Sequence, residues 1–426
     1  MKAWKIVALV VLFIVVPGSV ALLRSDSATE ALTGYSTPTY TENSGTTSIG
    51  NGLPGPVGES FTSDQAVFEE TDGVDKGLGP IYNAQSCAAC HQNPVTGGAS
   101  QISEFRVGHN NRRGQFVAPT IMINNGQTAV PSRSLVNDRA MCPEAQQTAP
   151  SSEDIRTFRM SLSILGDGFV EAIADSTLQG IAKQQRQLSN GRIAGQAIQV
   201  PVSEAPGKTA VGRFGWKDQH SSLLSFAADA YLNEQGITSR LQPVDTTTVC
   251  KTTTDPEDPT GPDGLGDIDH FAAFMRGTLA PPVDPKAFFT QKAQAGAQIF
   301  AQIGCATCHV TSITTAPEGT LVNGGAFTVP KELANKTIHP YSDFLLHDVD
   351  TGDGIQQNGP PETANKLRTA PLWGLRTRDR LMHDGLSATR ENAILRHGGE
   401  ARSVTRAFRD LSDRQKDQLL AFINSL

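Results

Sequence analysis

Cys87-Ala88-Ala89-Cys90-His91 and Cys305-Ala306-Thr307-Cys308-His309 are two copies of one pattern, C-x-x-C-H. The spacing has a chemical reason. Two thiols three residues apart can each join one of the two vinyl groups of a haem, and the adjacent imidazole then lies under the iron as its proximal ligand. With six cysteines and nine histidines in 426 residues, two chance matches are very rare. A thioredoxin-like dithiol does not need the histidine, and zinc would usually need a second C-x-x-C close by. The chain therefore reads as a protein of two covalently bound haem c groups, attached at Cys87, Cys90, Cys305 and Cys308, with His91 and His309 as iron ligands.

Outward from the second copy, the chain has the outline of a cytochrome c. A helix is predicted from about Pro285 to Ile303, with Pro at its first position and Ala293, Gly296, Phe300 and Ile303 on one stripe. The chain ends in a second predicted helix, opened by a capping box of Ser412 and Gln415 and burying Leu419, Phe422, Ile423 and Leu426. Such helices cross beside the haem, and a glycine allows the closest approach, so Gly296 is predicted to pack near Phe422.

The surroundings of the first copy are less regular. Asp64–Glu70 is a short helix candidate, and Asn83 and Ser86 are candidate caps for the turn holding the cysteines. The run from His109 to Gly114 reads as a loop, where Arg112 and Arg113 could meet haem propionates or simply be solvated. Gln115–Ile123 alternates like a strand broken at Pro119. Residues 150–245 read as mainly helical or irregular, with a helix from Ser221 to Glu234 ending at Gly236. The expected fold is mainly α, with two cytochrome c-like haem domains and short β insertions in the N-terminal one. Its expected divisions are a signal peptide (1–21), a flexible linker (22–60), an N-terminal haem domain (61–282) and a C-terminal cytochrome c domain (283–426), with Pro281-Pro282 at the boundary.

Composition narrows the setting. Hydrophobic residues make up 38% and charged residues 19%, as in a globular protein. A net charge of −7 argues against nucleic acid or an anionic membrane surface as partner. Lys2 and Lys5 precede an apolar run from Ile6 to Val16, then Pro17-Gly18 and the small residues Ser19-Val20-Ala21. That order predicts a cleaved leader and a periplasmic protein, with an uncleaved membrane anchor as the alternative. In such a compartment, the remaining Cys142 and Cys250 are expected to form a disulfide in preference to two free thiols. Calcium is a possible further cofactor, at Asp255–Gly264 or Asp348–Gly354, although neither has EF-hand register.

Several phrases in order carry a resemblance: Gly79–His91, Gly168–Ile173, Gly212–Lys217, His339–Asp348, Arg368–Gly374, Met382–Gly385 and His397–Ala401. Over about residues 77–426 the sequence resembles the di-haem oxidoreductase (putative peroxidase) family. More distantly it resembles bacterial di-haem cytochrome c peroxidases and the methylamine dehydrogenase maturation enzyme. The resemblance implies one haem that receives electrons and a second that meets peroxide, joined by a bridging tryptophan. Trp216 is the first candidate bridge and Trp373 the second, each with a core aromatic as the plain reading. Glu171 is the candidate distal acid, or else a buried structural glutamate, and Met382 is a candidate distal ligand. Val349 stands where relatives would be expected to carry methionine.

Three functions compete on this reading. The first is a peroxidase-like oxidoreductase, taking electrons from a small redox protein or another donor and giving them to peroxide or another small molecule. The second is a di-haem electron carrier without catalysis, and the third a haem-dependent oxygenase.

Overall fold

The computed structural model describes residues 30–35, 48–49, 53–54, 60–124, 126–262 and 264–426. The expected leader and most of the expected linker lie outside these residues. Within the linker, residues 30–35 lie against the body of the protein. There Ala31 N–H donates to Thr337 O (3.0 Å) and Gly34 N–H to Ala280 O (3.0 Å).

The expectation of a mainly α fold is overturned. Helix accounts for 32% and strand for 16%, the strands falling in many small sheets. Most strands are only two residues long, and so short a run leaves no alternation in the sequence to detect. The largest sheet is built on Ser103–Asn110, which pairs antiparallel with Ile155–Met160 from Ser103 opposite Met160 to Gly108 opposite Ile155. Leu135–Val136 and Phe116–Val117 also pair with Ser103–Asn110. Part of the expected loop at 109–114, and part of a region expected to be helical or irregular, is therefore strand. The sheet brings Glu104, Arg106 and Arg159 close to the first C-x-x-C-H.

Helices α1 (Phe61–Glu69), α2 (Asp167–Glu171), α4 (Leu223–Ala230) and α5 (Asp267–Gly277) line the cavity at that motif, whereas α3 (Asp175–Leu188) reaches the second motif, its Gln185 Nε2 donating to Thr307 O (2.7 Å). Helix α1 opens with a capping box in which the Ser60 and Ser63 side chains each accept from the other's backbone N–H. Its Phe68 packs on Phe274 and Phe271 of α5, with ring centroids 4.7 and 5.9 Å apart. Helix α4 starts at Ser222, whose hydroxyl accepts from Leu224 and Ser225 N–H. It runs into a π-helical turn, Tyr231–Gln235, and stops at Gly236 in the left-handed region (φ +74°). Such wide turns often mark functional positions, and this one holds Glu234.

Helices α6 (Pro285–Phe288), α7 (Gln291–Gln302), α8 (Arg390–Leu395), α9 (Arg402–Arg409) and α10 (Asp413–Ile423) frame the second motif. The single helix predicted over 285–303 is two, because the Thr290 hydroxyl caps Ala293 N–H and restarts it. Helix α10 has the predicted capping box at Ser412 and Gln415. It crosses α7 at Gly296, where an added Cβ would lie 2.0 Å from Gln418 O and 2.8 Å from Phe422 Cβ. Phe300 and Phe422 meet edge-on with centroids 5.4 Å apart, in a core that also holds Phe408, Leu419 and Leu426. The larger core runs from Phe61 through Val170, Phe214 and Phe271 to Phe344, Leu345 and Trp373, so both halves of the sequence build it. Cys142 and Cys250 form a disulfide, with Cα atoms 6.5 Å apart. No helix of the described residues is long and apolar enough to cross a membrane.

Candidate haem sites

Each C-x-x-C-H turns as a single 3-10 helix, Cys87–Ala89 and Cys305–Thr307, at the wall of its own cavity. Ser86 caps the first, its hydroxyl accepting from Ala89 N–H (3.2 Å). Asn83, the other expected cap, instead donates to Glu234 Oε2 (2.6 Å). The cavities hold about 1370 and 1320 Å³ of atom-free space, part of it open to solvent.

The donor set fits a haem at both places. His91 Nδ1 hydrogen-bonds Gly98 O (3.2 Å) and His309 Nδ1 hydrogen-bonds Tyr341 O (2.9 Å). A carbonyl on Nδ1 fixes that proton and leaves Nε2 as the ligand atom. Burial lowers the pKa of His91. Burial, then the nearby His397, bring His309 to about 4, so both rings are neutral, the ligating form. The four motif cysteines are unpaired. Burial pushes the Cys90 and Cys305 thiols up to about 12, which suits neither a reactive dithiol nor a thiolate metal site.

Trp216 and Arg368 line both cavities. The Trp216 indole Nε1 donates to Met160 O (2.8 Å), and its ring meets His383 edge-on with centroids 6.1 Å apart. Its neighbours are pinned. Lys217 is fully buried and its Nζ donates to the carbonyls of Thr363 (2.9 Å), Ala364 (2.9 Å) and Lys366 (2.6 Å). Asp353 bridges Lys217 and Arg159, at 3.4 and 2.6 Å. Burial alone would raise the Asp353 carboxyl, but these two cations outweigh it and hold its pKa at about 2. Trp373, the second candidate bridge, lines neither large cavity and packs against Gly166 in the core.

Glu171 lines neither cavity, which corrects its expected place beside an iron. It is fully buried and accepts from Arg276 Nε (2.6 Å), Leu223 N–H at the start of α4 (2.9 Å) and Asn323 Nδ2 (2.9 Å). Its negative charge thus serves a guanidinium and a helix N-terminus. Breaking one side of a buried pair costs about 3–5 kcal/mol. Glu171→Leu is therefore expected to lower thermal stability by that amount, with the spectra of the folded protein unchanged. A variant of wild-type stability but altered spectrum would return Glu171 to the haem.

The acids that do line the first cavity include Asp167, four residues before Glu171, and Glu234 of the π turn. Burial pushes Asp167 up to about 7, and burial with the charge of Glu104 does the same for Glu234. Neither was a candidate in the sequence, although Asp167 immediately precedes the phrase Gly168–Ile173. His91 is the one histidine of that lining; Met160 and Met275 also line it. Arg112 and Arg113 line neither cavity.

The second lining includes Met382, His383, His397 and Val349. Met382 is held in the left-handed region (φ +67°). His397 Nδ1 hydrogen-bonds Ala393 O (2.7 Å), the same tie that His91 and His309 have. His347 is there too, but both its nitrogens are engaged, by Asp343 and Glu400 at 2.8 Å each. Among the described residues of the two calcium candidates, these carboxylates have other partners: Asp353 is bound to cations, Asp350 binds Gly399 N–H and Arg402, and the Lys251 ammonium occupies the centre of the Asp245, Asp255 and Glu257 cluster.

Two cavities, each lined by a C-x-x-C-H and sharing Trp216 and Arg368 in their walls, define a di-haem protein. The chain belongs to the family described as "Di-haem oxidoreductase, putative peroxidase", which matches residues 144–426 and so includes the second motif but not the first. No curated protein matches. Solved structures that do match include hydrazine synthase of Kuenenia stuttgartiensis, at 12% identity and a TM-score of 0.36, covering 92% of this chain and all of that one. Another is a MauG-like protein associated with microbial copper homeostasis, at 20% identity and a TM-score of 0.24, covering 38% of this chain and 52% of that one. Similarity this low carries no argument about function.

Proposed function

We propose that this oxidoreductase is an exported di-haem peroxidase, with haem held covalently by Cys87 and Cys90 over His91, and by Cys305 and Cys308 over His309. When bound, each haem supplies a redox-active iron, and one whose sixth position is vacant can take peroxide. The observation that carries the reading is the placement of Trp216, which lines both cavities.

The linings suggest a division of labour. In the second cavity Met382, His383 and His397 would be available as further iron ligands beside His309, and this haem would be the one to receive electrons from a small redox protein. The first has, among the described residues, no second imidazole, but has Asp167 and Glu234 to hold a proton. Reduction of peroxide to two waters needs two electrons and two protons. A protonated carboxyl in the first cavity would give its proton to the departing peroxide oxygen as the O–O bond breaks and be reprotonated from solvent, which also supplies the second proton. The Cys142–Cys250 disulfide supports an oxidising compartment.

The test is spectroscopic. The half-reduced protein is expected to show a high-spin signal that shifts on adding peroxide. Two low-spin irons indifferent to peroxide would leave the electron carrier, a reading favoured by Met160 and Met275 in the first cavity. Turnover should also titrate. An ordinary carboxyl is deprotonated above about pH 4, whereas Asp167 and Glu234 keep their protons up to about 7. The acid form is present below that pH and lost above it, so peroxide reduction falls as pH rises through about 7. Asp167→Asn or Glu234→Gln should remove the step along with most of the activity. Retention of both in each variant would exclude these carboxyls.

A further inference from the structure

The two cavities differ sharply in charge. In the first, Arg106 pairs with Glu104 at 2.6 Å and Arg159 with Asp353 at 2.6 Å. The second is lined by Arg368, Arg378 and Arg390 and, among the described residues, by no aspartate or glutamate. Arg378 is partly buried, and its guanidinium has no hydrogen-bond or ion-pair partner among the described residues. Arg390 Nη2 donates to the carbonyls of Leu375 (3.0 Å) and Arg378 (3.1 Å), which leaves its Nε buried without a partner. Arg368 Nε donates to Gly215 O (2.8 Å), and Asp218 stands 3.8 Å away, beyond hydrogen-bond reach.

Burial, then the like charges of Arg368 and Arg390, bring Arg378 down to about 10. Holding Arg378 desolvated without a partner, beside Arg390 and an Arg368 whose ion pair with Asp218 is 3.8 Å long, is costly. An anion supplied from outside the polypeptide would complete the pairing, and the planar guanidinium matches a carboxylate through two parallel hydrogen bonds.

We propose that Arg378, flanked by Arg390 and Arg368, is a seat for the two propionate carboxylates of the haem in the second cavity. The proposal rests on the di-haem reading above. Arg390, which grips the carbonyl of Arg378, fixes the backbone from which the Arg378 side chain extends. Because Arg368 reaches both cavities, the same anionic edge lies beside the wall that Trp216 occupies.

The test is a redox titration of the full-length, haem-loaded protein and its Arg378→Met and Arg378→Lys variants, with the two haems resolved by their spectra. Removing a cation beside the haem disfavours taking up an electron. Arg378→Met should therefore lower the reduced-to-oxidised ratio of the second haem about tenfold, equivalent to about 59 mV for one electron, and leave the first unchanged. Arg378→Lys should recover most of the shift. A Met variant that loads only the first haem, with loading restored in the Lys variant, supports the proposal equally. Unchanged second-haem potential and loading in Arg378→Met would overturn it. So would a wild-type spectrum that responds to added inorganic phosphate or acetate through Arg378, which makes this a site for free anions. Absence of any haem from the second cavity of the wild type would instead overturn the functional reading.

Discussion

Trp216→Phe is expected to leave both haems in place and slow electron passage between them by an order of magnitude or more. Phenylalanine preserves most of the apolar contact, but it is shorter than indole and has no Nε1–H for the Met160 carbonyl. The buried carbonyl loses its donor, the ring loses its fixed orientation, and the wall between the cavities opens. The effect should be confined to transfer. Reduction of the second haem by a donor stays near the wild-type rate, while its reoxidation after peroxide is added to the first is delayed. Stopped-flow spectra that follow each haem separately make the measurement. Wild-type reoxidation in Trp216→Phe would remove Trp216 from the path and leave it a packing residue.

Gly296→Leu is expected to prevent the second haem region from folding. Even the Cβ of alanine would sit 2.0 Å from the carbonyl oxygen of Gln418, a backbone atom that cannot rotate aside. Overpacking a core commonly costs about 1–3 kcal/mol. Here the whole side chain of leucine must fit between α7 and α10, whose contact shapes the core beneath His309. Thermal denaturation with quantitation of covalent haem checks the outcome: loss of the second haem and a lower-melting protein. A fully loaded variant of wild-type stability would refute the close crossing.

The parts of this protein that were legible in its sequence are those specified by neighbouring residues. Ser412 and Gln415 cap α10 because a capping box is a contact across three residues. Ser86 caps the first haem turn for the same reason. Gly296 could be read because its spacing placed it on the stripe that faces a second, equally regular helix. What failed was written across long separations. Strands of two residues carry no period, so sheets that make up 16% of the structure were mostly invisible and the mainly α assignment fell. Glu171 has the character of a buried acid in an apolar phrase, but its destination depends on Arg276, more than a hundred residues away. Asp167 and Arg378 gain their character from desolvation inside a cavity, and no local pattern announces that. Trp216 is the intermediate case. The resemblance marked it as a candidate, and only the packing places it on both linings.

The larger core has a consequence for the order in which the molecule is made. Its apolar side chains come from as far apart as Phe61 and Trp373. A chain emerging from its N-terminus displays Phe61, Phe169 and Phe214 long before Phe344 and Trp373 exist to cover them. Contacts of such separation form late, and the waiting surface is prone to aggregate. The first haem-binding region therefore cannot mature on its own schedule: it is completed only when nearly the whole polypeptide is present, and a chaperone that shields its early apolar segments should raise the yield of folded protein.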